Sequence, residues 1–379
     1  MSIPSASLTY LAGKQGAAMD RSIQVIAMCL ITNLGLIFFL YPADIIASLS
    51  TGHWSAVLLG FVIHIGMVSV YIKGLSKCAP KNVIDLFQSA GNVFAFLMLL
   101  PLAVYFVMML IITVRAYAEI VTMVFLAQTP LWTIMLLFLA LSTLVSLWGI
   151  ESLFRTSMLI ALLFFPFLII VVILSFQNVD WHYMLPFVDR KTATFSYVFH
   201  RPFLQSLFAF VGGFLFLGFI PPYVPYQSRK IIMASLLLLP FFLISVYVPL
   251  LTFGENTASK FPFPFIMAVD TVDISWLMFD RITIFFMISL LCFVVLFLSL
   301  VMWMTLQLLK RSMHFFNAPI ASVLLAATVF IVCLLVPSWS NVEQMIWWNT
   351  YLRLYAAFVI PLVTFALGVS RRRKEVIRP

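Results

Sequence analysis

Ten long apolar stretches run through this chain, and nearly all of its charge falls in the gaps between them. Hydrophobic residues make up 64% of its 379 residues and charged residues 9%, and the mean hydropathy is +1.12. A soluble domain does not carry such a surface. Crossing the hydrocarbon core takes about 20 apolar residues in a helix, because lipid offers the backbone no hydrogen-bonding partner. Spans are expected near 23–48, 54–74, 93–124, 131–149, 152–176, 202–221, 230–253, 279–307, 318–336 and 347–370. The fold class is therefore an all-α polytopic membrane protein of ten transmembrane helices.

The net charge of +9 is explained by where the basic residues lie. With the N-terminus in the cytoplasm, Lys14, Arg21, Lys73, Lys77, Lys81, Arg155, Arg229, Lys230, Lys310 and Arg311 face inside. The tail adds Arg371, Arg372, Arg373, Lys374 and Arg378, making 15 of the 22 Lys and Arg residues. Arg190, Lys191, Arg201, Lys260, Arg281 and Arg353 are assigned to outer loops and outer helix ends. The positive-inside rule then places both termini in the cytoplasm, which an even helix count permits. This charge is a topology signal, and no nucleic-acid partner is expected. Trp54, Trp132, Trp148, Trp181, Trp276, Trp339, Trp347 and Trp348 cluster at expected span ends, as interfacial rings do. The first helix reads as an uncleaved signal anchor. Cys29, Cys78, Cys292 and Cys333 are scattered, with no CxxC or Cys/His cluster, so neither a disulfide nor a metal is indicated.

Residues 1–22 read as a cytoplasmic N-terminal segment, 23–370 as one transmembrane domain, and 371–379 as a basic cytoplasmic tail. The first five spans occupy 23–176 and the second five 202–370. Five is odd, so the second unit enters the membrane upside down relative to the first. That is the geometry of a LeuT-like 5+5 inverted repeat. In the loop after the second span, Val83, Ile84, Leu86 and Phe87 recur at helical spacing after Pro80, predicting an interfacial helix on the inner leaflet. The outer segment 254–278 has room for a short surface helix.

In such a repeat the ligand lies near the midplane, where the first helix of each half is broken. Thr32, Asn33, Leu34 and Gly35 sit about halfway along the first span, and Val211, Gly212 and Gly213 halfway along the sixth. These are the candidate ligand-binding residues. His64, mid-span in the second helix, joins them as an intramembrane ionisable group. Tyr105, nearer the midplane of the third helix than Tyr117, is a further candidate, and both tyrosines are placed at an outer vestibule. Arg115 and Glu119 share a face at i,i+4 spacing and are expected to pair, as are Glu151 and Arg155. Asp44 falls near the outer end of the first helix. Neither HExxH, GxSxG, a phosphate-binding GxxxxGK[ST] nor a paired carboxylate within a span occurs, so no enzyme and no cofactor are expected.

Several short motifs occur in a telling order. Leu40-Tyr41-Pro42 is followed by Thr51-Gly52-His53-Trp54. Asn82-Val83-Ile84-Asp85-Leu86 runs on to Gly91. Trp148-Gly149-Ile150-Glu151-Ser152-Leu153-Phe154-Arg155 opens the fifth helix, Asn178-Val179-Asp180 precedes Leu185-Pro186, and Phe279-Asp280-Arg281-Ile282 precedes the eighth. Together they resemble the endospore germination permease family, the GerAB-type B-subunits of spore germinant receptors, within the amino acid–polyamine–organocation superfamily. The resemblance implies a subunit that senses a small-molecule germinant such as an amino acid. It also implies residence in the spore inner membrane beside an A-subunit and a lipoprotein C-subunit, with lipid the only other partner. A secondary transporter of amino acids or amines, or an assembly subunit without a ligand, are the alternatives. The sixth helix departs from many relatives: Gly213-Phe214-Leu215-Phe216 is apolar where they carry a polar or acidic residue, which argues for a weakly polar ligand.

Overall fold

The computed structural model describes residues 5–78, 80–185, 195–211, 213–224, 226–272, 282–312 and 317–377. Gly212, Pro186, Asp189, Arg190, Asp273, Trp276, the Phe279-Asp280-Arg281 motif and Arg378 lie outside the described residues. The first half contains α1 (Ser5–Ile37), α2 (Tyr41–Ser48), α3 (His53–Cys78), α4 (Val83–Ser89), α5 (Asn92–Val124), α6 (Leu131–Leu147) and α7 (Ile150–Leu174). The second contains α8 (Arg201–Ser206), α9 (Phe208–Val211), α10 (Ser228–Leu237), α11 (Leu239–Phe253), α12 (Glu255–Ala258) and α13 (Pro264–Asp270). It continues with α14 (Thr283–Ser312), α15 (Ala318–Leu334), α16 (Trp339–Leu354) and α17 (Ile360–Ile377). Among the described residues there is no strand.

Six helical stretches are long and apolar enough to cross a membrane: His53–Cys78, Asn92–Val124, Gly149–Leu174, Ser228–Phe253, Thr283–Lys310 and Trp339–Arg371. A seventh candidate is the pair Arg21–Ile37 and Tyr41–Ser48, bent by 56°. Leu131–Leu147 and Ala318–Leu334 are apolar but shorter. α14 lies at the centre, with 67% of its most apolar window buried, and packs against α1, α5, α6 and α7. α7 is peripheral, 22% buried, and turns Leu159, Leu162 and Ile173 outward, where lipid is the natural solvent.

The first span breaks later than its polar residues indicated. Thr32 Oγ1 donates to the Met28 carbonyl at 2.7 Å and Asn33 Nδ2 to the Cys29 carbonyl at 2.7 Å, so both side chains are absorbed one turn back in an intact helix. The bend falls at Phe38-Phe39-Leu40 because Pro42 lacks an N–H and its ring opposes the carbonyl four residues earlier. The same chemistry widens the last span: Pro361 follows a π-helical turn at Tyr355–Val359, between α16 and α17. The sixth span is broken where glycine was expected to break it. α8 and α9 are short, Gly213 and Phe214 form a turn, and a 3-10 helix follows at Leu215–Gly218.

α1 runs on from Ser5 into the first-span candidate, which starts at Arg21. Three further expectations are corrected. The last long apolar stretch begins at Trp339 rather than 347, so Arg353 lies inside it and not at its end. α4 is capped by Asn82, whose Oδ1 accepts from the Asp85 N–H at 2.8 Å, and Pro80 stands outside it. Its Val83, Ile84, Leu86 and Phe87 are buried in protein, where packing on α5 satisfies them better than the leaflet surface. In the outer segment after α11, α13 is likewise no surface helix: Phe265, Ile266 and Val269 are fully buried, because they close over the bend of the first span.

α3 and α17 approach most intimately through glycine. A Cβ on Gly74 would lie 2.8 Å from the Phe365 backbone nitrogen, and one on Gly368 would lie 2.9 Å from the Gly74 carbonyl. Small residues permit such contact where no hydrophobic effect drives helices together. Gly74→Ala is expected to lower stability by about 1–3 kcal/mol, because backbone rather than a flexible side-chain tip blocks the new methyl. Thermal unfolding of the purified variant in detergent would read this as a lower Tm; an unchanged Tm would show that the two helices separate freely.

Candidate functional site

Breaking a helix inside a membrane frees backbone groups, and each must find a protein partner. At the sixth-span break the partners come from three other helices. Cys29 Sγ of α1 donates to the Gly213 carbonyl at 3.4 Å, Tyr71 Oη of α3 to the Leu215 carbonyl at 3.2 Å, and Arg353 Nη1 of α16 to the Gln205 carbonyl at 2.7 Å. At the first-span bend, Tyr117 Oη of α5 donates to the Gly35 carbonyl. Tyr117 is fully buried and does not line a vestibule. Its ring stacks on Phe39 at 4.2 Å, and Phe39 stacks in turn on Phe263 at 5.6 Å, which meets Trp339 edge-on at 5.2 Å. This aromatic column runs from α5 through the bend to the segment that closes over it.

Part of the expected site is assembled here. Asn33 and Gly213 are in direct contact: a Cβ built on Gly213 would sit 1.9 Å from Asn33 Nδ2. His64 lies on the other side of the same break, its ring 5.6 Å from Phe210 and 5.8 Å from Phe214, with neither ring nitrogen hydrogen-bonded. Thr32, Leu34 and Gly35 stay within α1, Thr32 and Leu34 fully buried and Gly35 packed against Phe293. Val211 closes α9, with Gly212 beyond the description. Tyr105 is apart from them, fully buried with its hydroxyl against the Arg353 guanidinium. Asn33 and Gly213 therefore meet in a packed seam rather than a cavity.

The cavity lies about one turn further along α1. Leu36, Phe39 and Leu40 at the bend, Thr113 of α5, Phe208 of α9, Phe297 of α14, and Asn349 and Arg353 of α16 surround about 30 Å³. At about 10–15 Å³ of such space per water, this holds roughly two waters and no amino acid. Above it a vestibule of about 490 Å³ is lined by Asp44, Arg201, Gln205, Lys260, Trp339 and Glu343, with Leu40 and Ile346 shared between the two. Those two side chains form the partition. At the far end of the sixth-span break a third cavity, about 250 Å³, opens between Leu75, Pro80, Lys81, Gly218 and Pro221. The centre is thus closed to both ends.

Residues 21–340 match the sequence profile of the spore germination proteins. The chain belongs to that family. No curated protein matches it in sequence. The backbone is similar to that of MhsT, a LeuT-fold protein solved in complex with L-phenylalanine, with a TM-score of 0.60 at 12% identity. That likeness covers 92% of this chain and 98% of MhsT. The LeuT fold is the one anticipated, and both family and fold are those of membrane permeases rather than enzymes. In this spore germination protein, Arg353 and Asn349 are the functional candidates that sequence reasoning passed over. Arg353 was assigned to an outer helix end because the tryptophans at 347 and 348 were taken as the interface. An arginine and an asparagine on one helical face, four residues apart, was the signal available.

The Asn33–Gly213 contact gives a coupled test. Gly213→Ala is expected to destabilise by about 1–3 kcal/mol through overpacking. Combining it with Asn33→Ala, which removes the opposing amide, should recover part of that loss as a coupling of about 0.5–3 kcal/mol. Strict additivity in thermal unfolding would show that the two positions do not meet.

Proposed function

We propose that this protein is a germinant-sensing membrane subunit that binds a small molecule in the central cavity between the bent first span and the broken sixth. In this reading the chain makes ten spans: the six long helices, the bent first span, the two 17-residue helices, and the broken stretch of 202–221. Halves 23–176 and 202–370 are inverted repeats, both termini are cytoplasmic, and the A-subunit and lipoprotein C-subunit are its partners in the spore inner membrane. The observation that carries the reading is a cramped cavity at the bend, below a wide polar vestibule and closed by two apolar side chains. A ligand that enters must part Leu40 and Ile346, and its differential affinity for the opened state is the free energy available to partner subunits. The apolar share of the lining, including Phe39, Phe208 and Phe297, suits an apolar side chain like that of the L-phenylalanine in the MhsT complex, once the partition has opened to enlarge the cavity.

A transporter is the second reading, favoured by the likeness to MhsT. Against tight ion coupling stands Tyr117. Transporters of this plan coordinate a cation with carbonyls freed at the broken helices, whereas here a hydroxyl of the protein itself occupies the Gly35 carbonyl next to the bend.

Reconstitution separates the two. The full chain in proteoliposomes should be stabilised by one or more of the twenty common L-amino acids in a thermal-shift screen, with no saturable uptake of the same labelled compound. Saturable uptake would replace the sensor with the transporter. Absence of stabilisation by every compound would remove the binding reading and favour an assembly role.

A further inference from the structure

Arg353 is buried to 3% exposure and sits 14 residues into α16, counting from Trp339. A charged side chain taken this far out of water is unfavourable unless its charge is met. In this structure it is met only in part. Nη1 donates to the Gln205 carbonyl, the Tyr105 hydroxyl lies against the guanidinium, and the guanidinium stands 5.6 Å over the Phe208 ring, but Nε has no partner. No ion pair within 4.0 Å forms to Arg353 among the described residues. Asp44, the acidic group in electrostatic reach, lines the vestibule on the other side of the Leu40–Ile346 partition. Arg115 meets a different fate on α5: it pairs with Glu119 and donates to the Val336 carbonyl.

One turn before Arg353, Asn349 is equally buried at 3% and its Oδ1 accepts from nothing. Both side chains line the same small cavity. A cationic fork with no carboxylate partner and an unpaired acceptor, adjacent on one helical face, are complementary to a ligand carrying a carboxylate next to a hydrogen-bond donor. The π-helical turn at Tyr355–Val359 begins two residues after Arg353, an irregularity that often marks functional positions in helices. It is pinned by Tyr355 Oη donating to the Met98 carbonyl of α5 at 2.9 Å.

We propose that Arg353 is the anion receptor of the central site, pairing with the ligand's carboxylate while Asn349 accepts a hydrogen bond from the neighbouring donor. This deepens the small-molecule reading above and rests on it. It reverses the expectation of a weakly polar ligand pocket: the sixth span is apolar at its break, and the charge comes instead from the tenth. The guanidinium then changes partner from a partial set of hydrogen bonds to a full charge pair only when ligand is present. The ligand thereby gains an interaction specific to the occupied state, the differential affinity that a population shift requires.

The test compares each L-amino acid that stabilises the full-length protein with its own carboxamide, in which the anionic group is neutral. In the wild-type protein the carboxamide should bind at least about 10-fold more weakly. Arg353→Gln should remove the preference, weakening the acid far more than the carboxamide. Arg353→Lys, which keeps the charge and loses the planar fork, should fall between. Acid and carboxamide binding alike to the wild type would overturn the assignment of Arg353 while leaving the small-molecule reading intact. So would Arg353→Gln weakening both to the same degree, the signature of a purely architectural arginine. If Arg353→Gln does not fold, the wild-type preference and the Arg353→Lys value decide. A screen in which no amino acid binds would overturn both readings together.

Discussion

Every break in a helix inside lipid is a demand for hydrogen bonds, and this molecule is arranged around meeting that demand twice. At the first-span bend the demand falls on α5, which supplies Tyr117 to the Gly35 carbonyl. At the sixth-span break it is shared by α1, α3 and α16 through Cys29, Tyr71 and Arg353. These side chains do more than satisfy carbonyls. Each fixes the position of one helix against a break that belongs to another, so the helices that line the cavity are the same ones that hold the breaks in place. A change at the cavity is then a change in who holds whom.

The aromatic column shows how such a change reaches the surface. Phe39 is the hinge residue of the bend, caught between Tyr117 and Phe263, and Phe263 meets Trp339 at the start of α16. α16 in turn carries Ile346, Asn349 and Arg353, the partition and the two unsatisfied polar groups. Bend, closing segment and α16 are therefore one packed unit. Rotating Phe39 would disturb both stacked neighbours, and interdigitated packing of this kind favours discrete arrangements over gradual deformation.

Much of the architecture was legible without coordinates, and the misreadings have physical causes. Span positions followed from apolar length, and the sixth-span break followed from paired glycines. Thr32 and Asn33 misled because a polar residue mid-span has two outlets, a ligand or its own helix one turn back, and here both chose the helix. Pro42 held the better information about the bend, since a missing N–H acts on the backbone directly. The burial of Arg353 was not legible either, because a helix that starts at Trp339 rather than 347 brings other elements against it. Val83 and Phe87 point to an interfacial helix by their spacing alone, because apolar periodicity reports that a face is buried without saying whether protein or lipid buries it.

The sequence by itself determined that the chain is a polytopic helical membrane protein, roughly where its spans run, and the family to which it belongs. Those properties depend on local quantities: apolar length, glycine and proline positions, and motif order. The tertiary structure alone decided that the cavity sits at Leu36–Leu40 rather than Thr32–Gly35, and that Asn33 seals against Gly213. It alone decided that Arg353 faces an interior space with its charge unpaired. Whether a buried polar group is satisfied depends on residues a hundred or more positions away, as Arg353 and Gln205 are, and no local pattern encodes that distance.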